Sequence, residues 1–362
     1  MDKELRVIIS GGGTGGHIFP AVSIANAIKS LRPDAKILFV GALGRMEMQR
    51  VPAAGYEIKG LPIRGFFRPL WKPANIGVAI DYLKSKWLAK KILKQFRPQV
   101  AVGVGGYASS AALGAANSLG IPTLIQEQNS YAGLANKTLA KSASKICVAY
   151  EGMERFFPAD KIILTGNPVR QNLLKGVKQI TSDIKHLLII GGSLGARTIN
   201  EAVLAGIPAL EKAGIHVVWQ TGKGYYKGIM EQINNNHLPV TNIEIHEFLS
   251  DMPDRYAQAD LVISRAGASS ISELCLLGKP AILVPSPNVA EDHQTHNAMA
   301  LVNKNAAVLV KDAEAADKLI STALELIHNE KQLELLHTNV LKLAQTDSAK
   351  RIAEEVISLA KH

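Results

Sequence analysis

The chain of 362 residues is too long for one hydrophobic core of typical size, so its length predicts two domains. Hydrophobic residues make up 47% and charged residues 20% of it, which is typical of a globular protein and excludes a disordered or fibrous chain. The net charge of +10 favours an anionic partner, such as a phosphorylated substrate or an acidic membrane surface. Nucleic acid ranks third, because aromatic residues are only 5% of the chain and do not alternate with basic ones.

The cysteines and the start of the chain bear on its compartment. Cys147 and Cys275 each lie between apolar residues, and no CxxC motif occurs, so we expect two reduced, buried thiols. Neither a targeting segment nor a run of 18 apolar residues is present. These features predict a cytosolic protein without a transmembrane span.

Short apolar runs alternate with helical patterns in both halves, which is typical of βαβ units and a parallel sheet. Strands are predicted at residues 6–9, 37–40, 100–104, 123–126 and 145–149, and again at 186–190, 217–220, 243–247, 261–264 and 281–284. The segment 165–170 interrupts the alternation. We therefore place one domain at 1–167 and a second at 168–345, followed by a C-terminal helix over 346–362.

Two glycine-rich turns follow predicted strands about half a chain apart. Residues 11–16 include five glycines, and residues 191–196 repeat the pattern of strand, glycine turn and helix. Free backbone N–H groups and the helix dipole make such a turn an anion site. The pair predicts two similar α/β halves that face one cleft. A third turn, at 105–106, is open to two interpretations: an anion cradle or an ordinary βα turn.

The run at residues 264–273 predicts a strand, a turn of small residues and a helix that begins near Ser270. Small residues at a helix N-terminus suit a diphosphate, and Glu273 suits the hydroxyls of a ribose. The alternative is a capping box formed by Ser270 and Glu273, which needs no ligand.

Residues 127–129 are polar and lie just past a predicted strand. Because open α/β sheets bind ligands at the carboxyl ends of their strands, we expect this segment to face a ligand. Glu47 is a poor candidate for the ribose-binding acid of a dinucleotide fold, since it follows the glycines by about 30 residues instead of about 20.

A helix predicted after Pro73 has two apolar faces. One carries Val78, Tyr82, Ala89, Ile92 and Phe96; the opposite one carries Ile76, Ile80, Leu83 and Trp87, followed on the same side by Lys90 and Lys94. An exposed apolar face with lysines beside it is typical of attachment to an anionic bilayer. The alternative is a helix that protein covers on both sides.

Acidic residues and histidines at 291–296 have no spacing typical of a zinc site, and they are better suited to hydrogen bonds with sugar hydroxyls.

Taken together, a series of motifs spread nearly end to end resembles the MurG family of bacterial N-acetylglucosaminyltransferases. The motifs are GGGTGGH at 11–17, RME at 45–47, GGYAS at 105–109, EQN at 127–129, GNPVR at 166–170, GGSLGA at 191–196, SRAGASSISE at 264–273 and DHQTHNA at 292–298. The resemblance implies a GT-B fold, in which two Rossmann-like domains with parallel sheets face a central cleft and the C-terminal helix packs back on the first domain.

The resemblance also implies a binding site for the donor UDP-GlcNAc. Its residues would be Thr14, Gly15, Gly16, Asn129, Arg170, Ser193, Leu249, Ala268, Ser269, Ser270, Ile271, Ser272, Glu273, Gln294 and Asn297. Within this set, residues 268–272 would hold the diphosphate through backbone N–H groups and Glu273 would hold the ribose. The main chain of Leu249 would meet uracil. Leu249 replaces an expected β-branched residue, and His293 stands beside Gln294 where some family members carry another amide.

For the acceptor, lipid I, the resemblance implies Gly12, Gly13, Gly105, Gly106 and Tyr107, with Ile76, Ile80, Leu83 and Trp87 at the cytoplasmic face of the cell membrane. The reaction implied is inverting: the 4-hydroxyl of the muramyl sugar attacks C1 of GlcNAc and forms the β-1,4 link of lipid II. Other cell-wall enzymes are a further class of partner.

His17 is the candidate general base, because an imidazole titrates near neutral pH. The alternative is a histidine that only binds substrate or shapes the turn.

No metal or other cofactor is expected, because the sequence contains no Asp-x-Asp motif. Helix N-termini would then stabilise the leaving diphosphate. Two competing functions remain: a related GT-B enzyme with another UDP-sugar or acceptor, including a UDP-GlcNAc epimerase, and a catalytically idle binding module.

Overall fold

The computed structural model describes residues 4–65, 71–169, 173, 184–192, 194–289 and 292–361. The chain divides into two compact units. The first unit comprises Met1–Arg170 and Asp347–His362, and the second comprises Gln171–Thr346. Each unit is a parallel sheet with helices packed on both faces, so the predicted α/β class with two Rossmann-like domains is confirmed.

The first unit contains a seven-stranded sheet in the order β3-β2-β1-β4-β5-β6-β7. Its strands are β1 (Arg6–Ser10), β2 (Lys36–Ala42), β3 (Glu57–Leu61), β4 (Val100–Gly103), β5 (Thr123–Glu127), β6 (Lys145–Val148) and β7 (Ile162–Leu164). Its helices up to the boundary are α1 (Gly15–Leu31), α2 (Glu47–Ala53), α3 (Ala74–Phe96), α4 (Tyr107–Asn117) and α5 (Leu134–Leu139).

The second unit contains a six-stranded sheet in the order β10-β9-β8-β11-β12-β13. Its strands are β8 (His186–Ile190), β9 (His216–Gln220), β10 (Ile243–His246), β11 (Leu261–Ser264), β12 (Ala281–Leu283) and β13 (Val308–Leu309). Its helices are α6 (Arg197–Lys212), α7 (Lys223–Asn235), α8 (Met252–Gln258), α9 (Ala268–Leu277), α10 (His293–Val302), α11 (Ala315–Ile327) and α12 (Glu330–Leu341).

The central strands form where the sequence has unbroken apolar runs, because helices cover both faces of a parallel sheet. In β4 and β5 every residue is buried. Three strands were not predicted, and each lies at a sheet edge: β3, β7 and β13. An edge strand has one partner and is partly exposed, so β3 alternates in exposure and β13 is only two residues long. Such patterns are weak in a sequence.

Both cysteines are free and buried, as predicted. Burial raises the pKa of each thiol to about 12, so Cys147 and Cys275 stay protonated near neutral pH.

The C-terminal helix α13 (Ser348–Leu359) completes the core of the first unit. Its residues Ile352 and Val356 are fully buried in the same cluster as Ile24 and Ile28 of α1. At its polar margin, Lys145 of β6 pairs with the carboxylate of Glu355 and donates to Ser358 Oγ at 2.9 Å.

We predict that Ile352→Ala destabilises the first unit by about 2–5 kcal/mol, because it leaves a cavity in a fully buried cluster. Hydrogen exchange in α1 peptides should accelerate accordingly. Lys350→Ala, at an exposed position of the same helix, is the control and should leave exchange nearly unchanged. Equal exchange in the two variants would contradict this role of α13.

Candidate functional site

In each unit the predicted site residues lie at the carboxyl ends of the strands, where open α/β sheets bind ligands. In the first unit, the turn after β1 packs against the turn after β4. Gly13 has a φ of +88°, in the left-handed region that favours glycine. A Cβ on Gly106 would lie 2.8 Å from the carbonyl oxygen of Gly12, so the two turns touch through their backbones. Gly12 and Gly106, two of the predicted acceptor residues, are therefore neighbours.

The carboxylate of Glu47 braces the first turn. Glu47 is fully buried, at the start of α2. Its Oε2 accepts the N–H of Gly13 at 2.9 Å, and its Oε1 accepts the N–H of Ala42 at 3.0 Å. A Cβ on Gly12 would lie 2.2 Å from Oε1, so the carboxylate occupies the space that a side chain would need. Glu47 thus shapes the turn instead of binding a ribose.

His17 lies in the first turn of α1, half-buried, beside the turn after β4. A Cβ on Gly105 would be 2.9 Å from its ring, and its Nδ1 lies 3.1 Å from Oε1 of Gln128. Tyr107 begins α4 and is 51% exposed, with its ring against the backbone of Gly65. The structure therefore places His17 next to Gly105 and holds its ring through a side chain.

Of the polar residues 127–129 at the end of β5, Glu127 and Gln128 are buried and Asn129 is accessible. Glu127 is buried and satisfied internally: Oε2 accepts from Gly133 N at 3.0 Å and from Asn136 Nδ2 at 2.8 Å. Its Oε1 accepts the backbone N–H of Asn129 at 3.0 Å, and Asn129 itself is half-buried. The expectation that this whole segment faces a ligand is therefore wrong for Glu127, which orients the loop that carries Asn129. It is also wrong for Gln128, which is 1% exposed and donates to Val104 O at 2.8 Å.

The remaining first-unit residues on the predicted donor list lie at the N-terminus of α1. Thr14 is the N-cap, and its side chain makes no capping hydrogen bond. Thr14 and Gly16 are exposed and Gly15 is partly so. The helix begins at Gly15, with two glycines in its first turn.

In the second unit, the turn after β8 also packs against a neighbouring turn. Gly195 has a φ of +80°, and a Cβ there would lie 2.0 Å from the carbonyl oxygen of Thr221, just after β9. The side chain of Gln220 connects this turn to the loop after β10. Gln220 Nε2 donates to Gly192 O at 3.0 Å, and Gln220 Oε1 accepts the N–H of Leu249 at 2.9 Å. The main-chain N–H of Leu249 is therefore engaged inside the protein.

The helix α9 begins at Ala268 with Gly267 as its N-cap, two residues earlier than predicted. Ser270 is therefore not the N-cap, and the capping-box interpretation of Ser270 and Glu273 is wrong. Helix geometry leaves the first backbone N–H groups without an acceptor in the helix, while the N–H of Ile271 bonds to Gly267 O at 3.0 Å. The small residues of this turn leave those N–H groups accessible to an anion.

Glu273 is buried, and its Oε2 accepts from the hydroxyl of Tyr256 at 3.2 Å. Ser272 Oγ donates to Ala268 O at 2.9 Å, which is a contact within the helix. Gln294 Oε1 accepts the N–H of Ser286 at 2.9 Å, and buried Asn297 donates to Ala266 O at 3.3 Å. Both residues lie on α10: Asn297 joins this helix to the turn before α9, and Gln294 joins it to the loop after β12.

Arg265, directly before that turn, fixes it from behind. Its Nη1 donates to the carbonyl oxygens of Val284 at 3.0 Å and Pro285 at 3.2 Å. It also pairs with Asp312, whose other oxygen accepts from Thr198 Oγ1 at 3.0 Å. This ion pair is mostly buried, so loss of one partner would leave a charge in the protein.

Three residues of the predicted sites, Arg170, Ser193 and Glu291, lie outside the described residues. Among the described residues, no three acidic, histidine or cysteine side chains converge on a point that could hold a metal ion.

The two faces of α3 differ as the sequence predicts. Val78, Ala89 and Leu93 are buried in the core. Ile76, Ile80, Leu83 and Trp87 are each 60–69% exposed, and Trp71 before the helix is 84% exposed. No described part of this chain therefore covers the second face, which contradicts packing of both faces within the chain. No helix in the described part of the chain is long and apolar enough to cross a bilayer.

Comparison with known proteins identifies the family. Residues 7–148 match the glycosyltransferase family 28 N-terminal domain, and residues 186–356 match the family 28 C-terminal domain. The chain is 61% identical, over 99% of each sequence, to the UDP-N-acetylglucosamine–N-acetylmuramyl-(pentapeptide) pyrophosphoryl-undecaprenol N-acetylglucosamine transferase of Bacteroides thetaiotaomicron. The chain belongs to the MurG family.

Solved structures agree with this assignment. The MurG of Acinetobacter baumannii superposes with a TM-score of 0.79 at 27% identity, covering 98% of this chain and 99% of that one. The UDP-GlcNAc 2-epimerase of Neisseria meningitidis has a TM-score of 0.66 at 17% identity, covering 98% of this chain and all of that one. The second likeness shows the fold alone, which both enzyme classes share.

Sequence reasoning within the MurG pattern missed four side chains that support the site: Glu47, Gln128, Gln220 and Arg265. Glu47, Gln128 and Arg265 lie inside recognised motifs, whereas Gln220 lies at the end of β9 and outside all of them. Each bonds mainly to backbone atoms. A polar residue next to a glycine turn is the one sequence signal that could have indicated this role.

We predict that Glu47→Ala destabilises the first unit by about 1–3 kcal/mol, since it leaves the N–H groups of Gly13 and Ala42 without their acceptor. Amide exchange in the peptide spanning 11–17 should accelerate. Glu57→Ala, which removes an exposed carboxylate paired with Lys59, is the matched control and should have little effect. Unchanged exchange at 11–17 in Glu47→Ala would contradict the bracing role.

Proposed function

We propose that this chain transfers GlcNAc from UDP-GlcNAc to the 4-hydroxyl of the N-acetylmuramyl sugar of lipid I, forming lipid II for peptidoglycan synthesis. The observation that carries the proposal is the 61% identity to the transferase of Bacteroides thetaiotaomicron, which extends through both units. The site geometry supports it, since each unit ends its strands in turns whose backbone is open to anionic or sugar ligands. The solved MurG structure covers the same full length.

In this proposal the second unit binds the donor. The diphosphate binds the N–H groups at the start of α9, between Ala268 and Ser270, and the helix dipole favours its negative charge. As the bond from C1 of GlcNAc to UDP breaks, charge accumulates on the departing diphosphate, and fixed N–H groups stabilise it without reorganisation. Glu273 accepts hydroxyl donors of the ribose with the capacity that Tyr256 leaves it, since a carboxylate can accept about four hydrogen bonds.

The first unit supplies the acceptor site and the base. The 4-hydroxyl of the acceptor attacks C1 on the face opposite the diphosphate, and the anomeric configuration inverts. His17 takes the hydroxyl proton, because it is half-buried at the glycine turns and its ring is held by Gln128. UDP leaves as a stable anion, so the proposal includes neither a covalent intermediate nor a metal.

Attachment to the membrane is the third part of the proposal. Lipid I carries a polyprenyl chain, so its sugar is presented at a bilayer surface. The exposed face of α3 offers apolar side chains of 60–69% exposure, and the exposed Lys94 lies on the same side. Apolar insertion combined with attraction to anionic lipid gives peripheral binding. We place this binding at the cytoplasmic face of the membrane.

The reaction is tested by transfer of labelled GlcNAc from UDP-GlcNAc to a short-chain lipid I analogue in the presence of EDTA. The proposal predicts a β-1,4 disaccharide product at full rate. Formation of a UDP-GlcNAc epimer or UDP without disaccharide would overturn the acceptor assignment. Activity that is lost in EDTA and restored by a divalent metal would overturn the metal-independent part.

We predict that His17→Ala lowers kcat by roughly 10²–10⁴-fold, the usual contribution of a general base. The KM for UDP-GlcNAc should change little, because the donor binds mainly to the second unit. Steady-state kinetics with both substrates varied will measure this. Equal losses in kcat and in donor affinity would instead make His17 a binding residue.

We predict that Ile80→Glu combined with Leu83→Glu weakens binding to vesicles containing phosphatidylglycerol by roughly tenfold or more, since it removes apolar insertion and adds repulsion. Vesicle sedimentation measures this. The matched control is Leu335→Glu with Leu341→Glu, which adds the same charge at exposed leucines of α12. Unchanged sedimentation of the α3 variant would contradict membrane attachment through α3.

A further inference from the structure

A buried chain of carboxamide side chains extends inward from His17. Gln128, Gln126 and Asn167 are each 0–5% exposed. Gln126 Nε2 donates to Asn167 Oδ1 at 3.0 Å, and Asn167 Nδ2 donates back to the main-chain oxygen of Gln128 at 2.9 Å. These side chains join the carboxyl end of β5 to the segment after β7, and the hydrogen bonds form a closed ring through the main-chain oxygen of Gln128. Carboxamides so arranged have a defined donor and acceptor at every position.

The orientation of the Gln128 amide follows from its neighbours. Gln128 Nε2 faces two main-chain oxygens, Val104 O at 2.8 Å and Gln126 O at 3.2 Å, and also donates to the side-chain oxygen of Gln126. All three partners are acceptors. Rotating the amide by 180° would direct Oε1 at these oxygens and lose the hydrogen bonds. Gln128 Oε1 is therefore directed at Nδ1 of His17, 3.1 Å away.

This orientation determines which nitrogen of His17 carries the proton. A carboxamide oxygen only accepts, so the contact requires an N–H at Nδ1. In the neutral ring the lone pair is then at Nε2. We propose that Gln128 is a positioning residue that holds neutral His17 in the Nδ1–H tautomer, with Gln126 and Asn167 fixing Gln128. The functional part of this inference rests on the proposed role of His17 as the base.

The chemistry of an amide suits this task. A carboxylate at the same position would also orient the ring, but its charge would stabilise the imidazolium and favour a protonated His17. The neutral oxygen of Gln128 orients the ring without that charge. Nε2 of a neutral ring can accept the proton of the attacking hydroxyl, whereas Nδ1 is already protonated. A ring in the other tautomer would place its lone pair toward Gln128, where no proton is to be taken.

The test is the tautomer itself, read from long-range ¹H–¹⁵N NMR spectra of protein labelled with ¹⁵N-histidine, at a pH where the ring is neutral. His17→Ala assigns the signal. The wild type should show the Nδ1–H tautomer. Gln128→Met, which removes the acceptor and keeps the length of the side chain, should shift the signal towards the Nε2–H tautomer.

Gln99→Met is the matched control. Gln99 also holds backbone atoms of the first unit, accepting from Arg6 N at 2.6 Å and donating to Glu4 O at 2.9 Å. Neither of these contacts involves the His17 ring. Its substitution should leave the tautomer of His17 unchanged, so general loosening of the first unit would be distinguished from a specific effect of Gln128.

Kinetics connects the tautomer to the reaction. In Gln128→Met, kcat should fall by at least roughly tenfold, and by no more than the roughly 10²–10⁴-fold that a general base contributes, while the KM for UDP-GlcNAc stays nearly constant. The Nε2–H tautomer in the wild type would by itself overturn the inference. An unchanged His17 tautomer in folded Gln128→Met would overturn it as well. If the tautomer follows the prediction but His17→Ala retains full turnover, the base assignment fails and the tautomer assignment stands.

Discussion

The close approach of neighbouring βα turns is the constraint on which both candidate sites depend. In the first unit the turn after β1 meets the turn after β4, and in the second unit the turn after β8 meets the turn after β9. At each meeting point a side chain would collide with backbone atoms, as a Cβ on Gly195 would with Thr221 O at 2.0 Å. Glycine is therefore required by packing between turns as much as by ligand access.

Buried polar side chains then hold these turns in place. Glu47 accepts one N–H group in the turn after β1 and one at the end of β2. Glu127 orients the loop that carries Asn129, and Gln220 joins Gly192 to Leu249. Arg265 does the same behind the turn that opens α9. In each case a polar group that would be costly to bury alone is satisfied by backbone partners. Accessible groups such as Asn129 and the N-terminal amides of α9 are thereby positioned by residues that have no need to touch a substrate.

The central strands and the class of the fold could be predicted because buried parallel strands leave unbroken apolar runs in the sequence. The edge strands β3, β7 and β13 could not, since one exposed side weakens the pattern. The amphipathic division of α3 was predictable from helical periodicity, but whether protein covered its second apolar face depended on tertiary packing.

The candidate site was predictable to the level of segments. The glycine turns and the run before α9 can be recognised because several small residues stand together directly after a predicted strand. The roles of Glu47 and Glu127 were not predictable, because a carboxylate beside a glycine turn has the same sequence signature whether it bonds to a ribose or to backbone N–H groups. The start of α9 was misjudged for a related reason: Ser270 and Glu273 have capping-box spacing, but Gly267 caps the helix instead.

We propose above that backbone N–H groups at the start of α9 bind the diphosphate of the donor, and the rest of the proposed mechanism depends on this contact. Amide hydrogen exchange and ¹⁵N chemical shifts with and without UDP test this most directly. The account predicts that saturating UDP gives its largest protection and shifts at residues 266–273. Unchanged amides from Ala268 to Ser270 at saturating UDP would contradict it, whatever the overall affinity.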